Sequence, residues 1–169
     1  MTDELVRVLS EIQRRGGIGR GPIKDAIAHA EHFVVALPTS VSAVLDLGSG
    51  GGLPGLVVAV RRPSVRCVLV ERRAKRADLL RYGVRALRLD GRVEVAEGDI
   101  DEMPHLGPVD AVTARSFGPL REVLRIASPL LRPGGVCIVS TPPEGICADV
   151  SEDFDDNGQF GNVHRWVRH

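Results

Sequence analysis

A glycine-dense turn set between two apolar runs constrains this chain more than any other feature. Val44-Leu45-Asp46-Leu47 reads as the end of a buried strand, and Gly48-Ser49-Gly50-Gly51-Gly52-Leu53-Pro54-Gly55 as a tight turn. Leu56-Val57-Val58-Ala59-Val60 then opens a helix. Strand, turn and helix in that order aim backbone N–H groups at the anionic or polar part of a ligand. Glycine lets the backbone come close where a side chain would block it.

The rest of the chain repeats the alternation. Strand patterns cover Ala43–Leu47, Arg66–Val70 closed by Glu71, Val93–Ala96, Val109–Thr113 and Val136–Ser140. Between them lie helical patterns, among them Arg73–Leu87 and Leu120–Leu131, and Pro133-Gly134-Gly135 reads as a turn. Strands separated by helices imply right-handed crossovers, hence an α/β, Rossmann-like and mostly parallel sheet with helices on both faces. Two amphipathic helices joined by a flexible link at Ile18–Gly21 precede the first strand and must pack on the sheet's side or end. At 169 residues the chain is expected to be one domain: a helical extension over 1–38, an α/β core over 41–140 and a tail over 141–169. The tail carries six acids and no base from Glu144 to Asp156, so a loop is expected through Gly161, with Val163–Val167 as a final edge strand.

Aromatic residues make up only 4% of the chain, so Val, Leu, Ile and Ala must build the core. Twenty-two basic residues balance twenty-two acids, which removes any global basic field as an argument for nucleic acid. Local bias remains: Arg72, Arg73, Lys75, Arg76, Arg81, Arg85 and Arg88 crowd one helix, as a solvated face or as a contact for RNA phosphate. The amino-terminal cations Arg14, Arg15, Arg20 and Lys24 are a similar candidate. Cys67, Cys137 and Cys147 form no CxxC pair and read as reduced thiols, the first two in the core. No apolar leader and no membrane-spanning run is evident, so a soluble, cytoplasmic protein is expected. His29 and His32 stand three apart on a helix without a carboxylate or cysteine set to complete a metal site.

The ligand class can be narrowed. A phosphate loop of the ATPase kind ends in Gly-Lys-Ser/Thr, and no lysine stands here. Gly50-Gly51-Gly52-Leu53-Pro54-Gly55 satisfies GxGxxG, and Glu71, with Arg72 beside it, closes the next strand, where an acid can accept from ribose hydroxyls. Asp46, just ahead of the loop, would repel a pyrophosphate but suits a ligand bearing an ammonium and a sulfonium, such as S-adenosylmethionine. Its carboxylate can also serve simply to bond loop amides. Gly48, Ser49, Gly50, Gly52 and Leu53 supply the loop's side of the site. In Gly98-Asp99-Ile100-Asp101-Glu102, Ile100 can lie on the adenine face and Asp101 can accept from its amine, with Asp99 competing.

The run Asp46 to Gly55, with its Leu53-Pro54-Gly55 ending, resembles the bacterial small-subunit ribosomal RNA guanine-N7 methyltransferases, the RsmG or GidB family. Thr113-Ala114-Arg115-Ser116-Phe117 is similar to that family's block after strand four, and Leu130-Leu131-Arg132-Pro133-Gly134-Gly135 to its turn into strand five. The resemblance covers roughly residues 22–140. It implies a class I methyltransferase that uses S-adenosylmethionine to methylate guanine N7 in 16S ribosomal RNA, with the small ribosomal subunit as partner. It makes Arg115 the contact at the junction of cofactor and guanosine, hence the catalytic candidate. His29 resembles a family histidine on the substrate side, and Phe117 can pack against base or cofactor. The chain departs from the pattern at both ends: Ile18–Pro22 stands where the family has Asn-Leu-Thr, and Thr141-Pro142-Pro143 where it places a lysine after strand five. A further helix and a terminal hairpin are not expected here. A methyltransferase acting on another RNA or a small molecule, or a non-catalytic S-adenosylmethionine-binding or ribosome-associated protein, therefore stands beside the main reading.

Overall fold

The structure, a computed structural model, describes residues 2–141 and 152–169. Two helices, α1 (Thr2–Arg14) and α2 (Ile23–Ala36), lead into β1 (Ala43–Leu47), α3 (Gly55–Arg61), β2 (Arg66–Glu71) and α4 (Ala74–Ala86). They are followed by β3 (Val93–Glu97), β4 (Val109–Ala114), α5 (Leu120–Leu130), β5 (Leu131–Ser140), β6 (Phe154–Phe160) and β7 (Val163–Arg168). One sheet runs in the order β3-β2-β1-β4-β5-β7-β6. The first five strands pair in parallel, and β7 joins β5 and β6 antiparallel. The expected Rossmann-like, mostly parallel sheet is thus present.

Strand periodicity sends alternate residues to two cores. Val44, Cys67, Leu69 and Ile138 meet Leu9 and Ile12 of α1, Phe33 of α2, Leu56 of α3 and Leu80 of α4 on one face. Leu45, Val112, Cys137 and Val139 meet Leu124 and Ala127 of α5 on the other. The two leading helices therefore cover the same face as α3 and α4. Both buried thiols are pushed up to about 12, chiefly by burial, which fits core positions. Cys147 lies outside the described residues. β1 sits between β2 and β4, so the chain leaves it in opposite directions; its carboxyl end is the switch point where such sheets bind ligands.

Several expectations need correction. Helices do not separate all the strands: β3 and β4 are joined by two one-turn 3-10 segments, Ile100–Glu102 and Pro104–Leu106. The expected turn at Pro133-Gly134-Gly135 is a bulge within β5. Leu131 still pairs with Val109, and the register then shifts to Val136 beside Ala111. The Ile18–Gly21 link is braced, since Gln13 Nε2 donates to the carbonyls of Gly19 at 2.7 Å and Gly21 at 2.9 Å.

The described part of the acidic tail is β6, and β7 is not the edge strand. The pair forms a terminal hairpin closed at Gly161-Asn162. Phe154, Val163 and Trp166 are buried, and the acids meet histidines across the hairpin. Asp156 meets His164 at 2.6 Å, and Asp155 meets His169 at 3.0 Å. Of the loop expected from Glu144 to Gly161, the part over 144–151 lies outside the described residues, and the rest is largely β6.

The glycine turn requires close approach between α3 and the sheet. A Cβ on Gly55 would stand 2.3 Å from Leu69 Cδ2 and 2.7 Å from Asp46 Oδ2. Gly55→Ala should cost about 2 kcal/mol in a denaturant melt, because neither a packed leucine nor a bonded carboxylate can yield freely. An unchanged melt would contradict this close packing.

Candidate active site

Two carboxylates hold the glycine turn from below and from the side. Asp46, on β1, is 1% exposed. Its Oδ1 accepts from Thr113 Oγ1 at 2.6 Å and its Oδ2 from the Gly55 N–H at 3.2 Å. Glu71, at the end of β2, accepts from the Gly50 N–H at 3.0 Å through Oε2 and from the Arg73 N–H at 2.9 Å through Oε1. Ser49 ties the turn to both strands, its N–H donating to Val70 and its hydroxyl to the Asp46 carbonyl, each at 2.9 Å. Burial raises the Asp46 carboxyl from 3.8 to about 6, against the bonds from Thr113, Ser49 and Gly55 and the charge of Arg115.

Beside the turn lies a cavity of about 380 Å³. Gly48, Glu71, Arg72, Ile100 and Asp101 line it, so five of the cofactor-side residues expected from the sequence are brought together. Each Glu71 oxygen has one lone pair taken by backbone, leaving the other for a ligand hydroxyl. Ile100 is buried and supplies an apolar wall. Asp99 lines the cavity too, while its Oδ1 accepts the Asp101 N–H at 3.1 Å and holds that 3-10 turn in place. Asp46, Ser49, Gly50, Gly52 and Leu53 lie outside this lining; Asp46 is buried on β1 and the others are buried parts of the turn itself. Arg73 and Arg76, read in the sequence as part of a basic helix face, stand at the rim instead. A helix face whose first turn bends over a strand end carries no periodic signal to reveal this.

A second cavity, of about 440 Å³, opens at the ends of β4 and β5. Arg115, Phe117 and His29, the three residues expected on the substrate side, all line it. His29 Nε2 lies 3.2 Å from Ser140 Oγ. Burial, then the charges of Arg115 and His32, lower the His29 pKa, which favours the neutral ring. His32 is separate, accepting the Asn162 N–H through Nδ1 at 3.2 Å. No cluster of three or more His, Cys, Asp or Glu able to hold a metal occurs among the described residues. Burial lowers the Arg115 pKa while Asp46 opposes it; a guanidinium stays charged regardless. Arg115 Nη1 and Thr141 Oγ1 are buried polar atoms without a hydrogen-bond partner among the described residues, and both residues line this cavity. Unpartnered buried groups facing one cavity are what a polar ligand satisfies. Thr141 was not foreseen, since a lone hydroxyl after a strand has no distinguishing spacing.

The raised Asp46 pKa makes a signed prediction. Its contribution to stability is fully present while the carboxyl is protonated, below about 4, and is lost as pH rises through about 6. The stability advantage of the parent over Asp46→Asn should fall by roughly 2 kcal/mol between pH 4 and pH 7 in denaturant melts. A difference independent of pH would contradict a buried, titrating Asp46.

Comparison with known proteins identifies the family. The chain matches the family GidB, described as rRNA small subunit methyltransferase G, over residues 12–140. It is 40% identical over 123 residues to the ribosomal RNA small subunit methyltransferase G of Bradyrhizobium diazoefficiens, a match covering 70% of this chain and 45% of that protein. Against its namesake from Salinispora tropica it is 45% identical over 141 residues, covering 80% and 56%. The chain spans about half the length of the curated relatives it matches. In fold it is similar to an O-methyltransferase from Bacillus cereus in complex with SAH, at TM-score 0.70 and 17% identity over 99% of this chain and 91% of that one. The family match takes in α2, the glycine turn, both carboxylates and Arg115, and so the chain belongs to the GidB family of rRNA small subunit methyltransferase G proteins.

Proposed function

We propose that this chain binds S-adenosylmethionine and transfers its methyl group to N7 of a guanine in 16S ribosomal RNA, presented by the small ribosomal subunit or its RNA. The observation that carries this reading is the pair of adjoining cavities, one walled by Glu71 and the glycine turn, the other by Arg115 and His29. RNA of that kind places the work in the cytoplasm. Among the described residues no helix is long and apolar enough to cross a membrane.

The residues fit the cofactor. Glu71 offers its free lone pairs to the ribose hydroxyls, Ile100 an apolar face to adenine, and Asp101 or Asp99 an acceptor for the adenine amine. Gly48 lets the turn's backbone approach, with Arg72 at the rim. Asp46 acts through the turn it holds, and its charge favours a cationic ligand nearby. Held there, S-adenosylmethionine would supply a methyl carbon activated by its sulfonium, to be received by the free lone pair of guanine N7 with loss of the neutral thioether, so the chain need provide no general base.

Alignment is then the protein's task. Arg115 donates from its unpartnered Nη1 to guanine O6 or to an adjacent phosphate, holding the base edge toward the first cavity. The Thr141 hydroxyl and the neutral His29–Ser140 pair supply further polar wall. An unstacked base is needed, because N7 must be approached end-on in a cavity of nucleoside size. Arg73 and Arg76, at the rim, are placed to meet RNA phosphate.

The test is methylation of small-subunit RNA lacking this modification, followed by mass analysis of its nucleosides. N7-methylguanine should form. Arg115→Ala should slow its formation roughly 100-fold, and Arg115→Lys should not restore it, since one ammonium cannot reproduce a planar fork. Label on another nucleotide, or on no RNA, would overturn the assignment of acceptor.

A further inference from the structure

Among the described residues the two cavities share two lining residues, Ser116 and Phe117. Whatever joins a ligand in one to a ligand in the other passes at this point. The Phe117 ring lies directly on the glycine turn there: a Cβ on Gly48 would stand 2.6 Å from Phe117 Cδ2 and 3.3 Å from Cε2. Gly48 has φ +62°, so the turn presents bare backbone to the ring. The ring therefore occupies the strip of turn that separates the adenosine-type cavity from the acceptor cavity.

Its support is that of a movable element. Ser116 holds φ +53°, a left-handed conformation that costs a non-glycine residue energy, and Gly118 follows on the other side. No backbone hydrogen bond outside the sheet holds Ser116, Phe117 or Gly118 among the described residues, whereas α5 is tied down from Pro119 onward. The side chain is half-buried, packed on the edge of the α5 core rather than locked within it.

We infer that Phe117 is a positioning residue that acts as a shutter, resting on Gly48 between the two cavities and swinging off the turn when a cofactor spans them. Methyl donor and acceptor must come within near-attack distance. With donor and acceptor in separate cavities, that contact exists only when the ring has moved. Once displaced, the ring lies on the acceptor side of the strip, where it packs against the incoming base. The inference rests on the S-adenosylmethionine reading above and adds to it a step that precedes acceptor binding.

The experiment uses S-adenosylhomocysteine, so that no turnover intervenes. Binding is first measured by calorimetry for the parent, F117W and F117A. The parent's single tryptophan, Trp166, is buried in β7, so emission changes in F117W beyond those of the parent report on position 117. Titration of F117W should shift its emission with the same midpoint as the calorimetric binding. In stopped flow, F117A should associate at least about threefold faster than the parent, because binding that needs a conformational change is slowed by it. Binding by calorimetry with no emission change in F117W, or an F117A association rate equal to or below the parent's, overturns the shutter and leaves the cofactor reading intact. Absence of binding in the parent overturns both.

Discussion

The site depends on two carboxylates that bond the backbone of one turn. Asp46 accepts the N–H that opens α3, and Glu71 accepts the Gly50 N–H four residues after Asp46. A turn this rich in glycine loses much conformational entropy on folding, and its amides need partners once buried. These two contacts supply partners and at the same time set the turn's height above β1 and its tilt toward β2. Thr113 carries the arrangement to β4, since its hydroxyl bonds the other Asp46 oxygen. The strand end from which Arg115 projects is thereby linked to the turn beside the Glu71 cavity.

This linkage gives one electrostatic unit rather than a set of separate sites. Asp46 lies beneath the turn, Arg115 is attracted to it, and burial, with the Arg115 charge second, lowers the pKa of His29. An acid, a cation and an imidazole follow one another from the sheet's centre to the cavity at the ends of β4 and β5. The order suits a reaction in which positive charge sits on the donor and no proton needs to be removed from the acceptor nitrogen.

Much of this was legible in the residues. Glu71, Ile100 and Asp101 stand at the carboxyl ends of readable strands, and strand-end residues fall where open α/β sheets bind ligands. Asp46 was legible in identity but not in depth. Strand alternation turns its side chain toward α3, so it acts on the turn from beneath and does not line either cavity. The terminal hairpin was hidden because its acids look like a solvated run. Their partners, His164 on the returning strand and His169 just past its end, become visible only with the pairing register. Arg76 and Thr141 were missed for a related reason: each gains its place from a neighbour distant in sequence, and a single side chain leaves no period to read.

The central claim is that the cavity beside Glu71 and the glycine turn takes the adenosyl group of S-adenosylmethionine. Titration calorimetry of the parent and Glu71→Gln with S-adenosylhomocysteine tests it most directly. The account predicts one site per chain, with the Glu71→Gln affinity lowered at least about tenfold through lost bonds to a charged acceptor. No binding by the parent, or equal affinity in the two proteins, would contradict it.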